Sequence, residues 1–238
     1  MKYMGSKNRH AKELLPIILK DRKLGQCYVE PFVGGANMID KVDGWRIGAD
    51  INKYLISLLK NLADGWLPPQ EITEAEYKAM KVNPNDYPEH LLGYVGFQLS
   101  YGAMWFGSYR RDSIGERNYP AEAYRNVAKQ APNLVGVDFR LSSYRGLTPP
   151  AQSLIYCDPP YEGTAKYKAN EKEFDHGDFW QWCREMTRKG HDVFVSEYQA
   201  PDDFVCIWEK QVNSSLTKDT GAKKNIERLF QHRSQIAT

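Results

Sequence analysis

The sequence predicts an α/β protein built on a doubly wound, mixed but mostly parallel sheet that carries a helical or hairpin insertion. Short apolar runs end in an acidic or polar residue, as at Cys27–Glu30, at Arg46–Asp50 and at Ser153–Cys157 before Asp158. Helix-period patterns separate these runs, and strands that alternate with helices make crossovers, which cover a parallel sheet on both faces. One gap of about ninety residues, between the Asp50 unit and Ser153, is too long for a plain connection and marks an insertion.

In chain order, a helical pattern spans 7–20 and is bent or restarted at Pro16, which lacks the N–H that a helix interior needs. The run Cys27–Glu30 reads as a strand leading into Pro31-Phe32-Val33-Gly34-Gly35, and Arg46–Asp50 as a second strand feeding the helical pattern Asn52–Leu62. Helical patterns follow at 73–81, 87–100 and 120–131, inside an insertion placed at 62–140. The core, 1–61 and 141–238, resumes with a strand at 153–157 and a helix at 175–189. Strands at 192–197, 204–209 and 227–231 complete it, the later pair antiparallel. The polar segment Asn213–Asn225 reads as a mobile connection between the last two strands.

At 42% apolar and 26% charged residues, the 238-residue chain can build a core and is not disordered. Without an apolar run of about 18 residues or a signal-type start, it is expected to be cytoplasmic and free of membrane. Cys27, Cys157, Cys183 and Cys206 are far apart and form no CxxC or Cys/His cluster, so buried thiols are expected and no metal. None of the five histidines lies in a recognisable triad. The net charge of +2 is unevenly spread: residues 1–25 hold seven Lys or Arg against two acids, and 101–145 hold seven against four. Brought together, these stretches would make a positive surface for phosphates.

Asp158-Pro159-Pro160-Tyr161, directly after a strand, is the sharpest signal. By average residue usage the tetrapeptide arises by chance in roughly one chain in a thousand of this length, and open α/β sheets keep their ligands at the carboxyl ends of strands. Two prolines stiffen the turn and remove two donors, leaving carbonyl oxygens and one carboxylate as an acceptor-only pocket. Such a pocket suits an exocyclic NH₂: the Asp158 carboxylate and the Pro159 carbonyl take its hydrogens and favour a pyramidal nitrogen. Tyr161 offers a face on which a planar base stacks. Amine alkylation is the natural reaction; the bland alternative makes Asp158 a turn cap and Tyr161 packing.

Glu30-Pro31-Phe32-Val33-Gly34-Gly35 is the second signal, a strand followed by a glycine pair that lets backbone approach a bulky ligand. The phosphate fingerprint GxGxxG is absent, which argues against NAD or ATP. Asp50 ends the next strand, where such folds place the acid that bonds ribose hydroxyls.

Together these segments resemble the Dam-like DNA adenine-N6 methyltransferases of phages and bacterial modification systems. The resemblance runs through Lys2–Lys7, Glu30–Gly35, Asp50–Asn52, Trp105–Pro120, Val137–Tyr144, Asp158–Tyr161 and Glu227–Phe230, in the order of the alpha arrangement. It implies a Rossmann-like methyltransferase core and a target-recognition insertion. It also implies S-adenosylmethionine as methyl donor, double-stranded DNA as substrate, base flipping, and a monomer or weak dimer. Asp158, Pro159, Pro160 and Tyr161 become the catalytic residues. Tyr3, Lys7, Glu30, Pro31, Phe32, Gly34, Gly35, Asp50, Ser143 and Tyr144, with Asp158, become cofactor-binding.

The chain departs from the family where the insertion commonly reads FNGLYR: here Phe106 stands at the usual Asn, in Trp105-Phe106-Gly107-Ser108-Tyr109-Arg110. Ser143-Tyr144 likewise stands where Asp plus an aromatic contacts the cofactor's adenine. In the insertion, aromatic residues alternate with arginines, a mixture suited to phosphates, base edges and wedges into the stack. Trp105, Tyr109, Arg110, Arg111, Arg117 and Asn118 are the expected DNA contacts. Two other readings stand beside this one: the same chemistry on cytosine N4, RNA or protein glutamine, and a non-catalytic DNA-binding relative.

Overall fold

A computed structural model of the chain describes residues 1–112, 114–162, 174–213 and 224–236. Seven strands form one sheet: β1 (Tyr28–Glu30), β2 (Arg46–Asp50), β3 (Val137–Leu141), β4 (Leu154–Cys157), β5 (Asp192–Glu197), β6 (Phe204–Asn213) and β7 (Lys224–His232). Their spatial order is β3-β2-β1-β4-β5-β7-β6. The first five run parallel, while β7 lies antiparallel between β5 and β6. This is a mixed, mostly parallel, doubly wound sheet. Residues 214–223, most of the expected mobile connection, lie outside the described residues.

Period-two alternation sorts the strand residues between two cores. Tyr28, Leu154, Tyr156 and Phe194 join one apolar cluster, and their neighbours Val29, Ile155, Cys157, Val193 and Val195 join the other. Helices α1 (Ala11–Ile18), α2 (Lys53–Ala63), α4 (Glu89–Gln98) and α5 (Tyr119–Gln130) contribute to the first cluster, with α3 (Glu74–Val82) beside them. The second is closed by α6 (His176–Arg188).

Helix boundaries follow their capping chemistry. Asn52 accepts from Leu55 N at 3.1 Å to start α2, and Asn118 accepts from Ala121 N at 2.9 Å to start α5. Thr73 and Glu76 form a reciprocal capping box on α3. Helix α4 approaches α2 closely at Gly93, where a Cβ would stand 2.2 Å from the Tyr54 carbonyl oxygen.

Strand β3 is the element the sequence reading left without a strand, and the expected core boundary between 140 and 141 falls inside it. Its alternating Val137-Asp138-Phe139-Arg140-Leu141 suits the edge of the sheet, beside β2. All four cysteines are free, but only three are buried. Cys206 is exposed, because it sits on edge strand β6 at a register irregularity.

Candidate active site

Strand order reverses between β1 and β4, so the loops leaving their carboxyl ends diverge and open a crevice. The Pro31–Gly35 loop leaves β1 and Asp158–Tyr161 leaves β4, which brings the two sharpest sequence signals to the two sides of one opening.

At the β4 turn, Asp158 Oδ1 lies 3.0 Å from Lys7 Nζ, and Lys7 Nζ lies 3.5 Å from Glu227 Oε2 of β7. Tyr161 donates its hydroxyl to Glu227 Oε2 at 3.0 Å, and the Lys7 ammonium sits 4.4 Å from the Tyr161 ring centroid. Lys7 is only 8% exposed. Burial alone would lower its pKa, but the Asp158 and Glu227 carboxylates outweigh that and raise it, so Lys7 stays charged. Burial pushes the Asp158 carboxyl up and Lys7 opposes the shift. Glu227 carries no role in the sequence reading, although it lies in the Glu227–Phe230 stretch; its acidity in a strand facing the turn was the available signal.

The β1 loop is held from the amino-terminal segment and from the insertion. Tyr3 lies on Gly34-Gly35, where a Cβ at Gly35 would come 2.7 Å from the Tyr3 Cβ. The glycine pair therefore admits a side chain of this chain. Gln98 of α4 exchanges two hydrogen bonds with the Lys2 backbone, at 2.9 and 2.8 Å. Gln130 of α5 donates to the Gly35 and Ala36 carbonyls at 3.1 and 3.0 Å. Neither glutamine could be singled out in the sequence, since each occupies one place in an ordinary helical pattern.

Glu30, at the end of β1, is buried and accepts the Tyr28 hydroxyl at 2.9 Å; burial drives its pKa well up. Asp50 accepts from Gly34 N at 3.3 Å and from Asn52 N at 2.9 Å, which ties the glycine loop to the end of β2. Burial raises its pKa, and these backbone donors counter the rise. Beyond Asp50, a cavity of about 360 Å³ is lined by Ile51, Lys53, Leu141, Ser142 and Ser143. Ile51 and Leu141 are 54% and 55% exposed, two apolar walls at the ends of adjacent strands.

Ser143 reaches this cavity, whereas Tyr144 is buried in a ring cluster with Phe32, Phe174, Phe179 and Trp182 and donates its hydroxyl to Asp178 at 2.6 Å. Pro31 and Phe32 turn the chain out of β1, and the Phe32 ring joins that cluster. Pro159 is buried and Pro160 half-buried, beneath Tyr161.

In the insertion, Trp105 stacks on Tyr54 with centroids 4.6 Å apart, and Tyr109 donates to the Ile72 carbonyl at 2.7 Å. Both hold the insertion together, and Asn118 is the α5 cap. Arg110 lies over the Tyr119 ring at 4.0 Å. Arg111 pairs with Glu74, and Arg117 with Glu122, which Lys2 also engages. Arg111 and Arg117 keep 67% and 58% of their side chains exposed, open to a further anion.

No group of three or more His, Cys, Asp or Glu among the described residues could hold a metal ion. None of their helices is long and apolar enough to cross a membrane.

The reversed strand order, with an acceptor turn at its switch point, defines a doubly wound α/β protein with a ligand crevice between β1 and β4. Residues 3–92 match the family model of the D12 class N6 adenine-specific DNA methyltransferases, a span that includes Tyr3–Lys7, the glycine loop and Asp50. That match, over less than half of the chain, supports an adenine-specific DNA methyltransferase. Among solved structures, the rRNA methyltransferase AviRa from Streptomyces viridochromogenes is similar over 98% of this chain and 87% of its own, at 11% identity and a TM-score of 0.46. No curated protein sequence matches the chain.

Proposed function

We propose that the chain methylates N6 of a target adenine rotated out of double-stranded DNA, with S-adenosylmethionine as the donor. The observation that carries this reading is the Asp158-Pro159-Pro160-Tyr161 turn at the β1/β4 switch point, with its carboxylate held by buried Lys7.

The residues around the crevice fit the donor. Ile51 and Leu141 would sandwich its flat adenine ring in the 360 Å³ cavity, with Ser143 at the edge. Asp50, at the mouth beside Ile51, would accept ribose hydroxyls. When bound, S-adenosylmethionine supplies a methyl carbon made electrophilic by its sulfonium sulfur.

The Asp158 carboxylate and the Pro159 carbonyl accept the two hydrogens of the adenine amino group, which turns the nitrogen lone pair toward the methyl carbon. The donor would supply the methyl group and keep the electron pair of its carbon–sulfur bond; the surplus N6 proton would leave to water, so Asp158 need not be a strong base. Tyr161 stacks on the flipped base and offsets part of the few kcal/mol that unstacking costs. The segment between α2 and β3 would act as the target-recognition insertion, with Arg110, Arg111 and Arg117 contacting phosphates or base edges and Trp105, Tyr109 and Asn118 shaping the surface that carries them.

The test is to incubate the protein with S-adenosylmethionine and unmethylated genomic DNA, digest to nucleosides, and assay methylated bases by mass spectrometry beside Asp158→Ala. N6-methyladenine from the parent and none from the variant is the expected result. N4-methylcytosine would overturn the base assignment, and no methylated base despite measured cofactor binding would overturn the DNA reading.

A further inference from the structure

Glu197 closes β5, next to the Asp158 turn, and is 2% exposed. Its Oε1 accepts from Tyr198 N at 2.7 Å and its Oε2 from Glu162 N at 3.3 Å. Glu162 directly follows Tyr161, and the Tyr198 ring meets the Tyr161 ring edge-on, with centroids 4.7 Å apart and planes at 84°. One buried carboxylate thus bridges the turns after β4 and β5, whose two tyrosines touch. Arg228 of β7 holds the same turn from the other side by donating to the Tyr198 carbonyl.

We propose that Glu197 is a positioning residue for the target-base pocket: by accepting from both turns it fixes Tyr198 against Tyr161 and so sets the plane on which the base stacks. This deepens the methyl-transfer reading above and rests on it. A carboxylate is suited to the place because it offers two acceptor oxygens and no donor. Glutamine could satisfy one N–H only by turning its own NH₂ toward the other.

The charged and titratable groups facing Glu197 are Asp158 and Glu162 from the β4 turn, His176 Nδ1 of α6 at 4.0 Å, and Arg228 opposite it in the β5–β7 register. Burial, reinforced by the Asp158 and Glu162 charges, pushes the Glu197 carboxyl up to about 7 against the pull of its two N–H donors. The bridge is therefore strongest above neutrality and weakens as Glu197 takes up a proton.

The experiment reads fluorescence from a substrate duplex with 2-aminopurine in place of the target adenine, and the single-turnover methylation rate from the same duplex with adenine there. Both are followed from pH 6 to pH 8.5 for wild type, Glu197→Gln and Tyr198→Leu, with S-adenosylmethionine affinity measured in parallel. Both variants are expected to bind cofactor as wild type does, yet to methylate about tenfold more slowly, the loss of one charge-assisted hydrogen bond. Their 2-aminopurine signal should be reduced, and the rise in rate through about pH 7 should be flattened in Glu197→Gln. A Glu197→Gln protein with the wild-type rate, signal and pH profile would overturn the proposal. If Glu197→Gln does not fold, Tyr198→Leu decides, and wild-type behaviour there overturns it equally. A wild type that makes no N6-methyladenine overturns the parent reading and this one with it, before any variant is compared.

Discussion

Lys7 and Asp158 stand 151 positions apart in sequence and 3.0 Å apart in space, the amino-terminal motif delivering its ammonium to the carboxylate of the β4 turn. Glu227 shares the same ammonium, so two acidic side chains are balanced by one buried cation. Removing one partner of a buried pair costs far more than the pair contributes, because a charge is left uncompensated.

Lys7→Met should therefore lower the methylation rate at least about tenfold and leave two carboxyls repelling each other. Lys7 opposes the upward push of burial on Asp158, so without it the Asp158 pKa rises further. The acid limb of the pH–rate profile then moves to higher pH. A limb that stays in place would show that Asp158 is not the titrating group.

Much of this architecture is legible in the sequence, and the exceptions have physical causes. Every helical pattern became a helix to within a few residues, because apolar periodicity and caps such as Asn52 and Asn118 are local signals. Strand β3 carries a strand signal of its own, the alternation Val137-Asp138-Phe139-Arg140-Leu141, but at five residues after a long helical stretch it is a weak one. The Asp158 turn and Gly34-Gly35 announce themselves by rare local chemistry. Glu197, Glu227, Gln98 and Gln130 do not, since each acts through a partner brought close only by the fold. In the stretch 101–119 a sequence cannot distinguish Arg111, which faces solvent beside Glu74, from Trp105, which packs on Tyr54.

The cavity between β2 and β3 gives a prediction confined to the cofactor. Ile51→Ser removes one apolar wall of a site whose other wall is Leu141. Losing that contact, worth about 1 to 2 kcal/mol, should weaken S-adenosylmethionine binding roughly five- to thirtyfold by titration calorimetry. DNA affinity should be unchanged, because the insertion arginines are untouched. Equal weakening for both ligands would argue that Ile51 supports the fold.

Arg111 is held by Glu74, whose carboxyl is lowered to about 2 by Arg111 first and Lys78 second. A DNA phosphate bound by Arg111 would have to compete with that carboxylate. Arg111→Ala should reduce the slope of log affinity against log salt by about 1. Glu74→Gln should do the reverse to affinity, strengthening binding at low salt by releasing the arginine. If neither variant changes the salt dependence in a filter-binding series, Arg111 makes no phosphate contact.

Glu122 gathers Lys2, Arg117 and, at 3.9 Å, Arg110, and its pKa is lowered to about 2, Lys2 being the largest cause. A depressed carboxyl contributes stability that is complete above its unfolded pKa, near 4.5, and is lost as pH falls toward 2. Thermal midpoints should therefore drop between pH 5 and pH 2 more steeply in wild type than in Glu122→Gln. Parallel curves would mean that the pairs are too well solvated to matter.

Phe106 holds a backbone conformation that its residue type disfavours. Its φ is +41°, a left-handed conformation that asparagine enters readily and phenylalanine does not. An asparagine at this place would fit the backbone independently of any contact with DNA. Here the strain, about 1 kcal/mol, is offset by burying a ring that meets Tyr77 at 5.2 Å and Trp105 at 4.9 Å. Phe106→Asn relieves the backbone but opens the ring cluster, where loss of a buried phenylalanine costs about 3 to 5 kcal/mol. The net expectation is destabilisation by about 2 to 4 kcal/mol in urea unfolding, with Phe106→Ala worse than Phe106→Asn because alanine keeps the strain and loses the ring. The reverse order between alanine and asparagine would show that polarity at this buried site outweighs backbone strain.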